Sequence, residues 1–160
     1  MAREKAELGA SELLQFGIKI EENGEKFYRE TAQTIKNREL KDLLVFLADE
    51  EAEHKKVLES MIPEIEKYEP AEAYPPEYFA YLRAFADNII FTGKLRKDLP
   101  KKMDAVSVID FGIRRELDSI AYYQEMRGVV PREQHDMVDR IIQQEREHFM
   151  KFTNLKKTLT

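Results

Sequence analysis

Four stretches of the chain carry apolar residues at alternating steps of three and four, the spacing of one face of an α-helix. The first runs Leu14, Gly17, Glu21, Gly24, Tyr28 and Ile35, flanked by Leu13, Ile18, Ile20 and Phe27. The second runs Leu40, Leu44, Leu47, Glu51, His54, Leu58, Met61 and Ile65. The third is Ile109, Gly112, Glu116, Ser119, Tyr123 and Met126, and the fourth Val138, Ile141, Glu145, His148, Phe152, Leu155 and Leu159. Helix-start and helix-stop residues frame them. Ser11, Asn37 and Asp104 are N-cap candidates, Met103 and Val108 are placed as a hydrophobic staple, Gly128 suits the position just past a helix end, and Pro131 suits a first turn. The spacing therefore predicts helices over about 11–36, 38–67, 104–127 and 131–157, after a polar lead-in over residues 1–10. Pro63 is placed to kink or shorten the second helix. Gly24 lowers helix propensity inside the first stripe, which implies that another group comes close to the backbone there or that helices pack there.

The short link at Asn37 makes the first two helices an antiparallel hairpin. Residues 68–103 differ in character. Pro70, Pro75 and Pro76 break the helical pattern, an aromatic-rich stretch with Tyr78, Phe79, Tyr81, Phe85 and Phe91 follows, and Thr92-Gly93 and Leu99-Pro100 end it. One or two short helices are expected in it. A link this long can cross from one end of a bundle to the other and join parallel helices. Its aromatic stripe fits a lid on the bundle or a partner-binding surface. The prediction is an all-α chain, one domain over residues 1–160: a four-helix bundle of two helical hairpins joined by a long crossover.

The two hairpins are copies. Phe16-Gly17-Ile18 matches Phe111-Gly112-Ile113, Glu21 matches Glu116, a small residue follows three later (Gly24, Ser119), and Tyr28 matches Tyr123, all at an offset of 95 residues. Glu51 and His54 match Glu145 and His148 at an offset of 94. Each half is thus a helix with an inward Glu followed by a helix with an inward Glu-x-x-His, and the duplication turns two weak motifs into one strong one.

Polar residues in an apolar stripe need an explanation. A carboxylate turned into a core is unfavourable unless it is paired or binds a metal. Folding the hairpins together brings four carboxylates and two imidazoles to mid-height of one bundle, and two divalent cations would balance the four charges. The alternative is a buried Glu–His network without metal. Oxygen-rich ligation with one imidazole per ion suits iron or manganese better than structural zinc, although zinc could occupy the site in a purified sample. Glu22, Glu25, Glu50, Glu53 and Glu147 fall off the stripes and are expected to be solvated rather than ligands, as is His135.

Composition narrows the classes. The 160 residues include no cysteine, which excludes disulfides, thiolate zinc sites, cysteine nucleophiles and iron–sulfur clusters and accords with a reducing cytoplasm. Charged residues make up 36% at a net charge of −5, with no basic block to hold nucleic acid. No run approaches the roughly 18 apolar residues of a membrane span, and the first residues lack the apolar core of a signal peptide. The Lys- and Glu-rich make-up leans toward a thermophile's protein.

The motifs Glu21-x-x-Gly24-x-x-Phe27-Tyr28, Glu51-x-x-His54, Glu116-x-x-Ser119-x-x-Tyr122-Tyr123 and Glu145-x-x-His148 resemble the rubrerythrin branch of the ferritin-like superfamily, over roughly 11–67 and 104–157. The resemblance implies two iron ions bridged by Glu51 and Glu145, with Glu21 and Glu116 as terminal ligands and His54 and His148 completing one metal each. It further implies that Tyr28 and Tyr123 hydrogen-bond to ligand carboxylates; ordinary core packing is the other reading of these tyrosines. Two departures stand out. Rubrerythrins usually carry a further Glu where this chain has Ser119, which puts in doubt the metal shift associated with that residue. They also carry a cysteine-ligated rubredoxin domain, which a cysteine-free chain does not supply, so electrons are expected from a separate donor protein. The leading expectation is a di-iron oxidoreductase reducing peroxide or dioxygen, a chemistry of oxidative stress, with its metals about 3.5–4 Å apart. The others are ferrous oxidation, transfer or storage, and a non-enzymatic interaction module with a structural metal. A homodimer is expected, with pairing or helix swapping through the crossover as its route.

Overall fold

The structure is a computed structural model and describes residues 9–67, 75–89 and 104–160. These form five α-helices: α1 (Ala10–Thr34), α2 (Arg38–Glu66), α3 (Pro76–Ile89), α4 (Ala105–Arg127) and α5 (His135–Leu159), with a 3-10 turn at Arg132–Gln134 before α5. Asn37 and Asp104 cap as the sequence implies: the Asn37 side chain accepts from the Leu40 N–H at 3.0 Å and the Asp104 side chain from the Ser107 N–H at 2.7 Å. The α2 helix continues through Pro63 to Glu66, and Gly128 follows α4 directly.

Three boundaries differ from the sequence expectation. Ser11 is not the N-cap of α1; the helix starts one residue earlier behind Gly9, because Ala10 is buried and extends the apolar face by one position. The same helix ends at Thr34, where Ile35 turns extended and its N–H donates to the Thr31 carbonyl. Pro131 does not open α5 but leads a 3-10 turn, whose Gln134 is buried and donates its side-chain amide to the Met61 carbonyl at 3.4 Å. That contact ties the start of α5 to α2. His135, expected in solvent, is half-buried, with Nε2 3.1 Å from the Val130 carbonyl oxygen. Met103 and Phe91 lie outside the described residues.

The interior is two apolar lobes. Leu13, Leu14, Ile20, Leu58, Met61, Tyr122, Met126, Val138 and Ile141 fill one; Phe27, Tyr28, Leu40, Leu44, Leu47, Val108, Ile109 and Phe152 fill the other. Following the chain from lobe to lobe gives each helix its direction. The α1 helix runs from the first lobe to the second and α2 returns; α4 runs the same way as α2, and α5 returns. The α2 and α4 helices are therefore parallel, as a long crossover requires. Within each hairpin the helices pack closely on one another, and α3 packs on α1 and α4. Phe79, Leu82 and Ala86 of α3 are buried in the first lobe, so its apolar face closes the bundle while Tyr81 stays half-exposed. Of the two readings of the aromatic stripe, the lid describes α3.

The duplicated Phe-Gly-Ile motif has a packing reason. A Cβ at Gly112 would lie 2.4 Å from Cζ of the fully buried Phe152 ring, so the glycine admits that ring against the α4 backbone. Gly112→Ala is expected to lower stability by about 1–3 kcal/mol through overpacking, and Phe152→Leu to restore part of the loss. Denaturant unfolding of the two single variants and the double variant measures both.

Candidate metal centre

Between the lobes lies one polar layer. Glu21 from α1, Glu51 and His54 from α2, Arg115, Glu116 and Ser119 from α4, and Glu145 and His148 from α5 are all buried there. Each arises from the helical period: one turn separates Glu51 from His54 and Glu145 from His148, so each pair leaves its helix on the same side. The structure brings all six sequence-predicted residues together as two overlapping groups. One is Glu21, Glu51, His54 and Glu145; the other is Glu51, Glu116, Glu145 and His148; in each, one oxygen or ring nitrogen per residue lies within 4.8 Å of the rest. Glu51 and Glu145 occur in both.

The two imidazoles face one another, ring centroids 5.7 Å apart. His54 turns Nδ1 inward, 2.8 Å from Glu145 Oε1 and 3.6 Å from Glu21 Oε2. Its Nε2–H points outward to the Gln144 side-chain oxygen at 2.8 Å. His148 repeats the arrangement, with Nδ1 3.7–3.9 Å from Glu51, Glu116 and Glu145 oxygens and Nε2 3.7 Å from Glu50. Glu50, off the stripe as expected, thus lies on the outer side of an imidazole, and Gln144 is its counterpart in the duplicate.

Tyr28 and Tyr123 reach across the duplication. The Tyr28 hydroxyl donates to Glu116 Oε1 at 2.7 Å, and the Tyr123 hydroxyl donates to Glu21 Oε1. Both rings are fully buried, so the hydrogen-bonding and core-packing readings of these residues hold together. Each tyrosine fixes one oxygen of a carboxylate and leaves the other turned to the centre.

Arg115 escaped the sequence reading. Its guanidinium donates to Glu51 Oε1 at 3.3 Å, to Glu51 Oε2 at 3.2 Å and to the Ile20 carbonyl at 2.9 Å, and lies over the Tyr28 ring at 5.2 Å. It occupies the space beside Gly24, where a Cβ would be 1.8 Å from Nη2. This is the close approach that a glycine within the first stripe implied. A signal existed: the 95-residue offset places Arg115 on Ile20, an inward position.

The layer's electrostatics follow from burial and neighbours. Burial pushes Glu51 well above the usual carboxylate range, and Glu145 and Glu21 add repulsion against which Arg115 works. Burial likewise raises Glu145, with Glu116 and Glu21 beside it. For Glu21 burial is outweighed by Glu51, His54 and Arg115, which hold it at about 2; Glu116 is held at about 2 by Glu145, His148 and Arg115 in the same way. Burial disfavours the His54 cation, but the Glu21 and Glu51 carboxylates and Gln144 raise it to about 9.

Buried polar atoms nearly always have partners. Here Glu21 Oε2, Glu116 Oε2, both Glu145 oxygens, and Nδ1 of both histidines have no hydrogen bond. All belong to the two overlapping groups, and an oxygen-rich set with one inward nitrogen on each side is a donor set for a pair of divalent transition metals.

The rubrerythrin family model matches residues 12–156. The chain belongs to the rubrerythrin family. A solved structure from Thermotoga maritima, described provisionally as a ferritin-like diiron-carboxylate protein, superposes with a TM-score of 0.71 at 29% identity, covering 98% of this chain and 100% of the other. No curated protein matches the chain. A rubrerythrin-family bundle with a ferritin-like neighbour accounts for the paired hairpins and the parallel α2 and α4, and it bears out the all-α expectation.

Metal ligands must shed their protons. In this rubrerythrin-family centre Glu51 and Glu145 are raised, and His54 stays protonated up to about 9, so metal entry at neutral pH must displace protons. Titrating metal-free protein in weak buffer at pH 7 is expected to release protons. The apparent affinity is expected to rise with pH until His54 is neutral, and fall as the solution is acidified. Calorimetry in buffers of different ionisation enthalpy reads the proton count.

Proposed function

We propose that this rubrerythrin-family chain is a non-haem di-iron carboxylate oxidoreductase that reduces peroxide or dioxygen with electrons from a separate donor. One observation carries the reading: two four-residue groups share Glu51 and Glu145, and apart from the Glu51 oxygens, which Arg115 engages, their inward atoms have no hydrogen bond to anything outside the groups. In this reading Glu21 and His54 hold one metal, Glu116 and His148 the other, and Glu51 and Glu145 serve both. The ligand chemistry supports iron or manganese ahead of zinc. The description of the Thermotoga relative as a diiron-carboxylate protein favours iron.

When bound, a reduced di-iron pair supplies two electrons for cleavage of an O–O bond. The chain's own residues set the conditions for that chemistry. Tyr28 and Tyr123 restrain the terminal carboxylates through one oxygen each, which orients the other oxygen inward. Gln144 accepts from the outer nitrogen of His54 and so keeps its Nδ1 aimed at the centre, while Glu50 sets a carboxylate 3.7 Å from the outer nitrogen of His148. The apolar lobes above and below the layer keep bulk water out, which strengthens every charge interaction within it. Arg115 keeps one positive charge in the layer whatever the metal content.

Elemental analysis of protein grown with iron is expected to give two metals per chain. Glu145→Ala, which removes a residue common to both groups, is expected to lose more metal than Glu21→Ala, which leaves the Glu116–His148 group whole. Anaerobic ferrous-loaded protein mixed with peroxide is expected to re-oxidise faster than free ferrous ion. No acceleration would sink the peroxide reading, and ferrous oxidation continuing past two equivalents per chain would replace it with metal handling.

A further inference from the structure

The duplication is broken at two positions that bear on the layer's charge. Glu50, beside His148, has the neutral Gln144 as its counterpart beside His54, and where the first hairpin has Ile20 the second has Arg115, a permanent cation buried inside the layer itself. Its place within that layer is lopsided. The guanidinium engages both oxygens of Glu51, and Nη1 lies 3.6 Å from Glu116 Oε1. It also lies over the ring of Tyr28, whose hydroxyl is bonded to that same Glu116 oxygen. Arg115 therefore belongs to the side of the centre framed by Glu116 and His148.

We propose that Arg115 makes the two metal positions unequal: the position framed by Glu21 and His54 binds the tighter ion, and the one framed by Glu116 and His148 the weaker. A dication next to Glu116 meets a fixed positive charge at close range, and Glu116 and Glu51 have already committed part of their negative charge to it. The effect is steep because the layer is buried; a single unit charge a few ångströms nearer one site than the other separates the affinities by at least about tenfold at the effective dielectric of a protein interior. The shared carboxylates differ as well. Both Glu51 oxygens are engaged by the guanidinium, whereas Glu145 meets the imidazoles, its Oε1 2.8 Å from His54 Nδ1 and 3.8 Å from His148 Nδ1. The first hairpin thus offers a carboxylate held by a permanent cation, and the second one held by groups that themselves face the centre. Arg115 acts through these ligands as a positioning residue.

Gly24 gives an independent handle on the same cation. An added methyl would fall 1.8 Å from Nη2 and 2.3 Å from Cζ of Arg115, both within a buried layer, so Gly24 is the berth of the guanidinium.

This inference rests on the reading of the layer as a two-metal centre, and cobalt(II) tests the two separately. Metal-free protein is titrated anaerobically with cobalt(II), followed by calorimetry and by the visible absorption of the bound ion. The wild-type chain is expected to bind two ions in steps at least about tenfold apart. Glu21→Ala is expected to abolish the tight step and Glu116→Ala the weak one. Arg115→Met is expected to narrow the separation at least about threefold, Gly24→Ala to narrow it in the same direction, and Arg115→Lys, which keeps a cation, to preserve most of it. Two equal steps in the wild type would overturn the inference while leaving the two-metal centre intact, and so would loss of the tight step in Glu116→Ala. A separation unchanged in Arg115→Met would overturn it too. Equal steps in the wild type overturn it even where a variant fails to fold. Failure to bind cobalt at all would remove the two-metal reading and this inference with it.

Discussion

Four carboxylates buried in one layer repel one another and are shielded from the bulk solvent that would stabilise their charge, and the rest of the structure is arranged around that constraint. A buried ionised group is tolerable when opposite charge or hydrogen bonds meet it, and otherwise it gives up its charge. The layer shows both responses. Glu21 and Glu116, each held by a tyrosine and close to an imidazole, stay low, whereas Glu51 and Glu145 are raised. The carboxylates whose surroundings favour the charged form are the two that each belong to one group. The two left raised are the two that both groups share, where cations would be most effective.

Apolar lobes on either side make this division meaningful. Leu13, Leu58, Tyr122 and Ile141 on one side, and Leu44, Leu47, Ile109 and Phe152 on the other, exclude the water that would otherwise screen the layer. Helix direction does the rest. A hairpin alone presents one Glu and one Glu-x-x-His; only when a second hairpin packs against it, with α4 parallel to α2, do the shared carboxylates meet at one height. The long crossover is the topological consequence, and α3, lying within it, closes the lobe that its own helix ends would leave open. On this view the aromatic stripe of α3 serves the core first.

Much of this was legible in the residues because duplication checks itself. Glu51 and His54 interrupting a leucine stripe once is ambiguous, but the same interruption 94 residues later at Glu145 and His148 is not. Asn37 and Asp104 were readable because an N-cap is a local hydrogen bond made within three residues. What local pattern did not reveal is what depends on long-range packing. Ser11 lost the cap to Gly9 because Ala10 found a place in the core, and Pro131 yielded to a 3-10 turn because Gln134 reached the Met61 carbonyl 73 residues away. Arg115 was passed over for a related reason. Its neighbours in sequence mark it as one charged residue among Arg114, Glu116 and Asp118, and only the berth at Gly24, on another helix, shows that it turns inward.

The berth and the cation explain each other. A glycine in the middle of a 25-residue helix is unfavourable by about 1 kcal/mol relative to alanine, and an arginine buried without company is far worse. Together they place a guanidinium against the α1 backbone, where the Ile20 carbonyl and both Glu51 oxygens meet its donors. The same placement brings the Glu116 carboxylate and the Tyr28 ring close, so one side chain links three of the four bundle helices. The result is a layer whose negative charge is partly met by the chain itself. A centre that depended wholly on metal for its charge balance would be held open or collapse when empty. With Arg115 in place, the first hairpin's shared carboxylate keeps its position, and the polar layer retains a scaffold on which the remaining carboxylates and imidazoles can be arranged.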